Sequence, residues 1–180
     1  MYYYHVISDL PKHVGDHIVM DEQNHNGVYR RVHACAEIVE DIYRHPEKYQ
    51  DKDLSHEVHV ALRELALEII RKEKYPQYPS RMACLYVSRK EEEAERWSEY
   101  FAHLGRPTYG IAKIKVTGNS FIGDACKCFD GTLSEQENLR MAELYWENGQ
   151  NEDGHLPIVE ILVDGDIEIL EILKTTYANA

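Results

Sequence analysis

Residues 156–163 and 167–173 form two apolar runs rich in Ile, Leu and Val, joined at Asp164-Gly165. An Asp-Gly pair supplies the positive φ that a tight reversal needs, so the two runs predict an antiparallel hairpin. This feature weighs most on the fold, because parallel strands need a crossover of roughly a dozen residues and no such segment separates these two. The rest of the chain fits the same class. Residues 2–7 are aromatic and β-branched and stop at Ser8-Asp9-Leu10-Pro11, as a short strand before a turn does. Residues 16–20 read as a second short strand. Val32, Cys35, Ala36, Val39, Ile42 and Tyr43 recur at helical spacing and end before Pro46, and a second helix covers residues 55–72 with Val58, Leu62, Leu65 and Ile69 along one stripe.

The segment Tyr75-Pro76-Gln77-Tyr78-Pro79-Ser80 breaks that helix and leads into residues 82–87, a buried strand. Ser88 and Glu91 have the spacing of a capping box, opening a helix that turns Ala94, Trp97 and Phe101 inward. Residues 109–117 alternate as a half-exposed strand does, residues 118–131 read as a loop, and Thr132 with Glu135 caps a helix running to Trp146. A polar loop spans residues 147–155. Antiparallel strands with helices in blocks predict an α+β fold. The 180 residues contain no repeat and no long linker, so one domain over residues 1–180 is expected.

Composition narrows the function classes. With 43% hydrophobic and 29% charged residues the chain falls outside the collagen-like and low-complexity classes. No apolar run reaches the roughly 18 residues of a membrane helix, and residues 1–6 lack the basic-then-apolar pattern of a signal peptide. A cytoplasmic protein with no membrane partner is expected. The formal charge of −12 opposes non-specific nucleic-acid binding. Cys35, Cys84, Cys126 and Cys128 then read as reduced thiols.

Cys126-Lys127-Cys128 and His56-Glu57-Val58-His59 raise a metal site, but Cys35 and Cys84 sit at apolar positions and the two His are three apart rather than four, so no metal is expected. The chain has no Gly-x-Ser-x-Gly and no glycine-rich phosphate loop. Three residues on separate strands remain: His5, Tyr86 and Glu160. Glu160 alternates with Val159, Ile161 and Val163, which predicts a carboxylate facing away from their shared buried face, between Ile158 and Leu162.

In Tyr4-His5-Val6, in Cys84-Leu85-Tyr86-Val87-Ser88 with the helix through Ala94 to Trp97, and in Val159-Glu160-Ile161-Leu162-Val163-Asp164-Gly165, the chain resembles the His-Tyr-Glu branch of the ADP-ribosyltransferase superfamily. The middle segment is similar to the strand and alanine-bearing helix of poly-ADP-ribose polymerases, the last to the glutamate strand of small bacterial and phage transferases, and Ala142-Glu143-Leu144-Tyr145-Trp146 to the helix preceding that strand. The resemblance implies split antiparallel β-sheets with flanking helices. It also implies NAD as co-substrate, cleavage of the nicotinamide–ribose bond, and transfer of ADP-ribose to a protein or nucleic-acid acceptor. His5 would bind the ribose hydroxyls, Tyr86 would stack on nicotinamide, and Glu160 would engage the ribose 2′-hydroxyl. Ser88 would support Glu160 or the nicotinamide pocket, and Arg81 would bind the NAD phosphates. Arginine-modifying members carry a second glutamate where this chain has Ile158, so arginine is disfavoured as acceptor. A toxin or phage effector, with an antitoxin or host protein as partner, suits such a chain. The alternatives are an NAD glycohydrolase and a non-catalytic acidic inhibitor, the latter resting on the net charge alone.

Overall fold

The computed structural model describes residues 1–8, 10–149, 154 and 156–174. Seven strands and five α-helices follow in order among the described residues: β1 (Tyr2–Ile7), β2 (His17–Met20), α1 (Gly27–Ala34), α2 (Ala36–Arg44), α3 (His56–Lys74), β3 (Leu85–Val87), α4 (Glu91–His103), β4 (Gly110–Thr117), β5 (Ser120–Asp124), α5 (Glu135–Glu147), β6 (Val159–Val163) and β7 (Gly165–Lys174). They form two antiparallel sheets, ordered β1-β4-β7-β2 and β3-β6-β5, in an α+β arrangement.

The predicted hairpin at Asp164-Gly165 does not form. β6 pairs with β3 and β5 in one sheet, whereas β7 pairs with β4 and β2 in the other. Asp164-Gly165 passes the chain between sheets, and Gly118-Asn119 does the same between β4 and β5. The segment read as a loop over residues 118–131 therefore contains a strand. Together the four strands make a long antiparallel ribbon, bent once where the two crossings touch. Glycine is required at both: a Cβ on Gly118 would lie 2.2 Å from the Asp164 carbonyl oxygen, and one on Gly165, at φ +82°, 2.4 Å from that of Thr117. The Asp164 carboxylate accepts the Asn119 N–H at 2.7 Å and fixes the bend.

Tertiary pairing also overrides two predicted caps. The Ser88 backbone exchanges hydrogen bonds with Tyr4 at 2.8 and 2.9 Å, which holds it extended, so α4 begins after Lys90. On that helix Ala94 is buried and Phe101 half-buried, but Trp97 stands exposed. Ser134, not Thr132, caps α5, its Oγ accepting the Glu137 N–H at 3.2 Å. The single helix predicted before Pro46 breaks at Cys35 into α1 and α2. The predicted strand over residues 82–87 shortens to β3, because Asn26 draws residues 81–84 aside: its Nδ2 donates to the Arg81 and Cys84 carbonyls at 2.8 and 3.0 Å. Asn26 Oδ1 meanwhile caps α1 by accepting the Val28 N–H. Ile69, predicted on the buried stripe of α3, is exposed, as is Val159 at the start of β6. Of the predicted polar loop, residues 150–153 and 155 lie outside the described residues.

Between the sheets lies a core in which Tyr3, Ile7, Ala112, Ile114, Val116, Ile167 and Ile169 meet Leu85, Val87, Ile161 and Val163. The other face of β3-β6-β5 packs on α3 and α5 through Leu67, Phe121, Tyr145, Trp146 and Leu162. Among the described residues no helix is long and apolar enough to cross a membrane.

Candidate active site

The face of β3-β6-β5 turned toward α3 and α5 should be wholly apolar, yet charged side chains are buried in it. Glu64 of α3 follows Val60 by four residues and precedes Leu67 by three, all three buried, which places a carboxylate on the packing face of an amphipathic helix. Arg81 meets it from the turn before β3. That turn is tied to α3, with Arg71 Nη1 donating to the Tyr78 carbonyl at 3.0 Å and Ser80 Oγ to Glu68 at 2.8 Å.

Arg81 Nε donates to Glu64 Oε2 at 2.9 Å and Nη2 to Glu64 Oε1 at 3.4 Å. Nη1 donates to Glu160 Oε1 at 2.7 Å and to the Tyr145 hydroxyl at 2.6 Å, and Nη2 also reaches Cys128 Sγ at 3.4 Å. Tyr145 in turn donates to Glu160 Oε1 at 2.7 Å. Arg63 adds a second cation, its Nη2 lying 3.0 Å from Glu64 Oε1. Two arginines thus face two glutamates. Burial works against charge on Arg81, but Glu64, then Tyr86, Glu160 and Tyr145, outweigh it and raise its pKa well above the ordinary arginine value. Burial likewise opposes ionisation of Glu64, and Arg81 and Arg63 reverse this and hold its carboxyl below the usual range. Burial pushes the Tyr86 and Tyr145 phenols and the Cys84 and Cys128 thiols up against the pull of Arg81, so both tyrosines stay neutral and able to donate.

The Glu160 side chain is 10% exposed. Its Oε1 takes both hydrogen bonds and its Oε2 takes none from the described residues. Because no buried polar side-chain atom among those residues lacks a partner, Oε2 is open to solvent. One carboxylate oxygen is fixed and the other is presented.

Of the residues singled out in the sequence, the structure joins Arg81, Tyr86 and Glu160 by direct or relayed contact. The Arg81 guanidinium lies over the Tyr86 ring at 5.6 Å, and the Tyr86 hydroxyl donates to the Arg81 carbonyl at 3.4 Å. Ser88 is not brought onto Glu160 by pairing: the β3-β6 ladder ends at Val87 opposite Ile161, Ser88 pairs with Tyr4 instead, and Glu160 pairs with Gly123 on its other side. His5 stands at the seam of the two sheets. Its Nδ1 is 3.0 Å from the Tyr86 carbonyl, which can only accept, so Nδ1 carries the proton. His5 lies on the same strand face as Tyr3 and Ile7, whose side chains enter the core between the sheets, whereas Glu160 shares its face with Leu162 on the helix side. Among the described residues, His5 meets this group through the backbone of Tyr86. Arg81, offered by the sequence to the NAD phosphates, uses all five of its N–H donors inside the cluster and keeps none for a phosphate.

Glu64 and Tyr145 escape the sequence reading. The only signal for Glu64 is its position on the buried stripe, and Tyr145 reads as one more core aromatic beside Ala142 and Trp146. Cys126 is exposed, and the His59 ring hydrogen-bonds the Gly131 carbonyl at 2.7 Å.

A family model described as "Protein of unknown function (DUF2441)" matches residues 3–175. The chain belongs to the DUF2441 family. The match runs from Tyr3 beyond the end of β7 and takes in His5, Arg81, Tyr86, Tyr145 and Glu160 alike. No curated protein matches the chain.

Proposed function

We propose that this chain is an NAD-dependent ADP-ribosyltransferase that cleaves the nicotinamide–ribose bond and transfers ADP-ribose to a protein or nucleic-acid acceptor. The observation that carries the reading is the Glu160 carboxylate, with Oε1 held by Arg81 and Tyr145 and Oε2 open. Cleavage at an anomeric carbon develops oxocarbenium character on the ribose, and a preorganised carboxylate oxygen at the 2′-hydroxyl stabilises that charge as it forms. The C1′–N bond breaks with its electron pair going to nicotinamide, which leaves neutral. A lone pair of the acceptor then closes on C1′, and the acceptor's proton passes to solvent water.

In this reading Glu160 Oε2 accepts from the ribose 2′-hydroxyl, Tyr86 offers its ring to nicotinamide, Ser88 supports the nicotinamide pocket, and His5, whose strand face is turned away from Glu160, acts through the Tyr86 carbonyl it hydrogen-bonds. At the level of fold class, two antiparallel sheets with flanking helices support this reading.

The test is nicotinamide release from NAD by the wild-type chain and by Glu160→Gln, each with and without a total cell extract. Glutamine keeps the shape of the side chain, and a cooperative melt checks that the variant folds. The expected outcome is release by the wild type that is lost in Glu160→Gln, with labelled ADP-ribose appearing on protein or nucleic acid when extract is present. Release that extract leaves unchanged, with no labelled acceptor, makes water the acceptor and the protein a glycohydrolase. No release and no thermal stabilisation by NAD overturns the reading.

A further inference from the structure

We propose, resting on the reading above, that Arg81 and Tyr145 are positioning residues that fix Glu160 for the reaction, with Glu64 as the counter-charge that allows one buried guanidinium to serve them. Arg81 is 7% and Glu64 2% exposed, and the cation faces Glu64 through Nε and Glu160 through Nη1. The Tyr145 hydroxyl lies between, accepting from Arg81 at 2.6 Å and donating to Glu160 at 2.7 Å. Both contacts converge on the same oxygen. A carboxylate held by two donors on Oε1 has its rotamer set and its second oxygen aimed, which is what a group acting only in the transition state requires.

Each anchor comes from a different part of the fold: Glu64 from α3, Arg81 from the turn tied to α3, Tyr145 from α5 and Glu160 from β6. The aim of Oε2 is thereby fixed by the packing of two helices on the sheet. This role also accounts for an arginine that the sequence offers to phosphates but that has no donor left for one. A phosphate ligand and a positioning residue make opposite kinetic predictions, because the first contributes to NAD binding and the second only to the chemical step.

The experiment measures kcat and KM for nicotinamide release, and the NAD dissociation constant by calorimetry, for wild type, Tyr145→Phe and Arg81→Lys. Rates are divided by the number of NAD-binding sites found, so that partial unfolding does not count as lost catalysis. Tyr145→Phe removes one hydroxyl and keeps the ring, and it serves if Arg81→Lys fails to fold. Loss of a hydrogen bond to a charged group predicts a fall in kcat of about ten- to a hundred-fold. KM and the dissociation constant should stay within about threefold. A lower melting temperature with unchanged kcat per site overturns the proposal in favour of a purely structural cluster. A dissociation constant that rises in Arg81→Lys while kcat holds overturns it in favour of a phosphate ligand. A wild-type chain that neither binds nor cleaves NAD overturns the functional reading itself, and the positioning role falls with it. The first two failures require an active wild type and the third an inactive one, so they cannot be confused.

Discussion

The two sheets pair basic with acidic side chains in opposite ways. On the first, Lys113 and Lys115 of β4 lie across from Glu171 and Glu168 of β7, and the Lys115–Glu168 pair is half-exposed at 3.6 Å. On the second, the corresponding face is covered by α3 and α5, and Arg81, Glu64 and Glu160 are enclosed in it. Water already solvates the first set, so its pairs contribute little. The second set has lost its water, so the partners must replace it, and removing one leaves a buried charge unmatched. A buried ionic cluster is poor evidence of stability, because a well-packed apolar substitute often does as well. Its presence in the core of the second sheet therefore calls for a functional account, whereas the charges on the first do not.

The largest expected effect follows from breaking the buried set. Glu64→Gln keeps the volume but leaves Arg81 with one carboxylate and Arg63 with none, and it should destabilise the protein by about 3–5 kcal/mol in urea titrations at neutral pH. The loss has a pH signature. Burial opposes the ionisation of Glu64, but Arg81 and Arg63 hold its folded pKa below the unfolded value near 4.5. A carboxylate shifted down contributes stability that is complete above the unfolded pKa and is lost as the pH falls through the folded one. The gap between wild type and Glu64→Gln should therefore be full at pH 7 and close progressively below about pH 4.5. A small gap, or one of the same size at every pH, would erase the distinction between the two sheets.

The sequence carried local geometry well and pairing poorly. Residues 2–7, the strand ending at Thr117 and the long helix from His56 are where the pattern placed them, because each depends on side chains a few residues apart. Asp164-Gly165 was also legible as a site of positive φ. Which strand each arm would pair with was not, since the choice depends on Gly118, some 47 residues earlier in the chain. The Ser88 cap failed for the same reason: its competing partner, Tyr4, lies some 84 residues earlier in the chain. Glu160 stood out as a carboxylate beside aliphatics, and Leu162 is indeed buried, but Ile158 on its other side is exposed. Glu64 and Tyr145 were hidden because a helical pattern records which face is buried and not what a polar tip meets there.

An intermediate effect is expected at the bend that separates the two environments. Gly165→Ala places a Cβ 2.4 Å from the Thr117 carbonyl at φ +82°, where an L side chain is strained whatever the space. The cost should be on the order of 1–3 kcal/mol. Since the bend carries β6 away from the first sheet and onto α3 and α5, hydrogen exchange should speed up at β6 and β5 more than at β1. Equal acceleration in both sheets would mean that the bend is a general stability element and not the joint between two regions.

The smallest effect belongs to the exposed set and is the sharpest control. Lys115→Ala removes a half-exposed cation from the Glu168 pair, for which water and salt are ready substitutes, so it should change stability by less than about 1 kcal/mol. What remains should shrink further as ionic strength rises, because screening within about 8–10 Å acts on exposed charges and hardly on enclosed ones. Urea titrations of Lys115→Ala and Glu64→Gln at low and high salt place the two sheets on one scale. If the Lys115 change is salt-sensitive and the Glu64 change is not, the enclosed cluster is electrostatically isolated from solvent, as a site that presents only one carboxylate oxygen must be. If both respond to salt alike, water reaches Arg81 and Glu64, and the hold on Glu160 is looser than the distances imply.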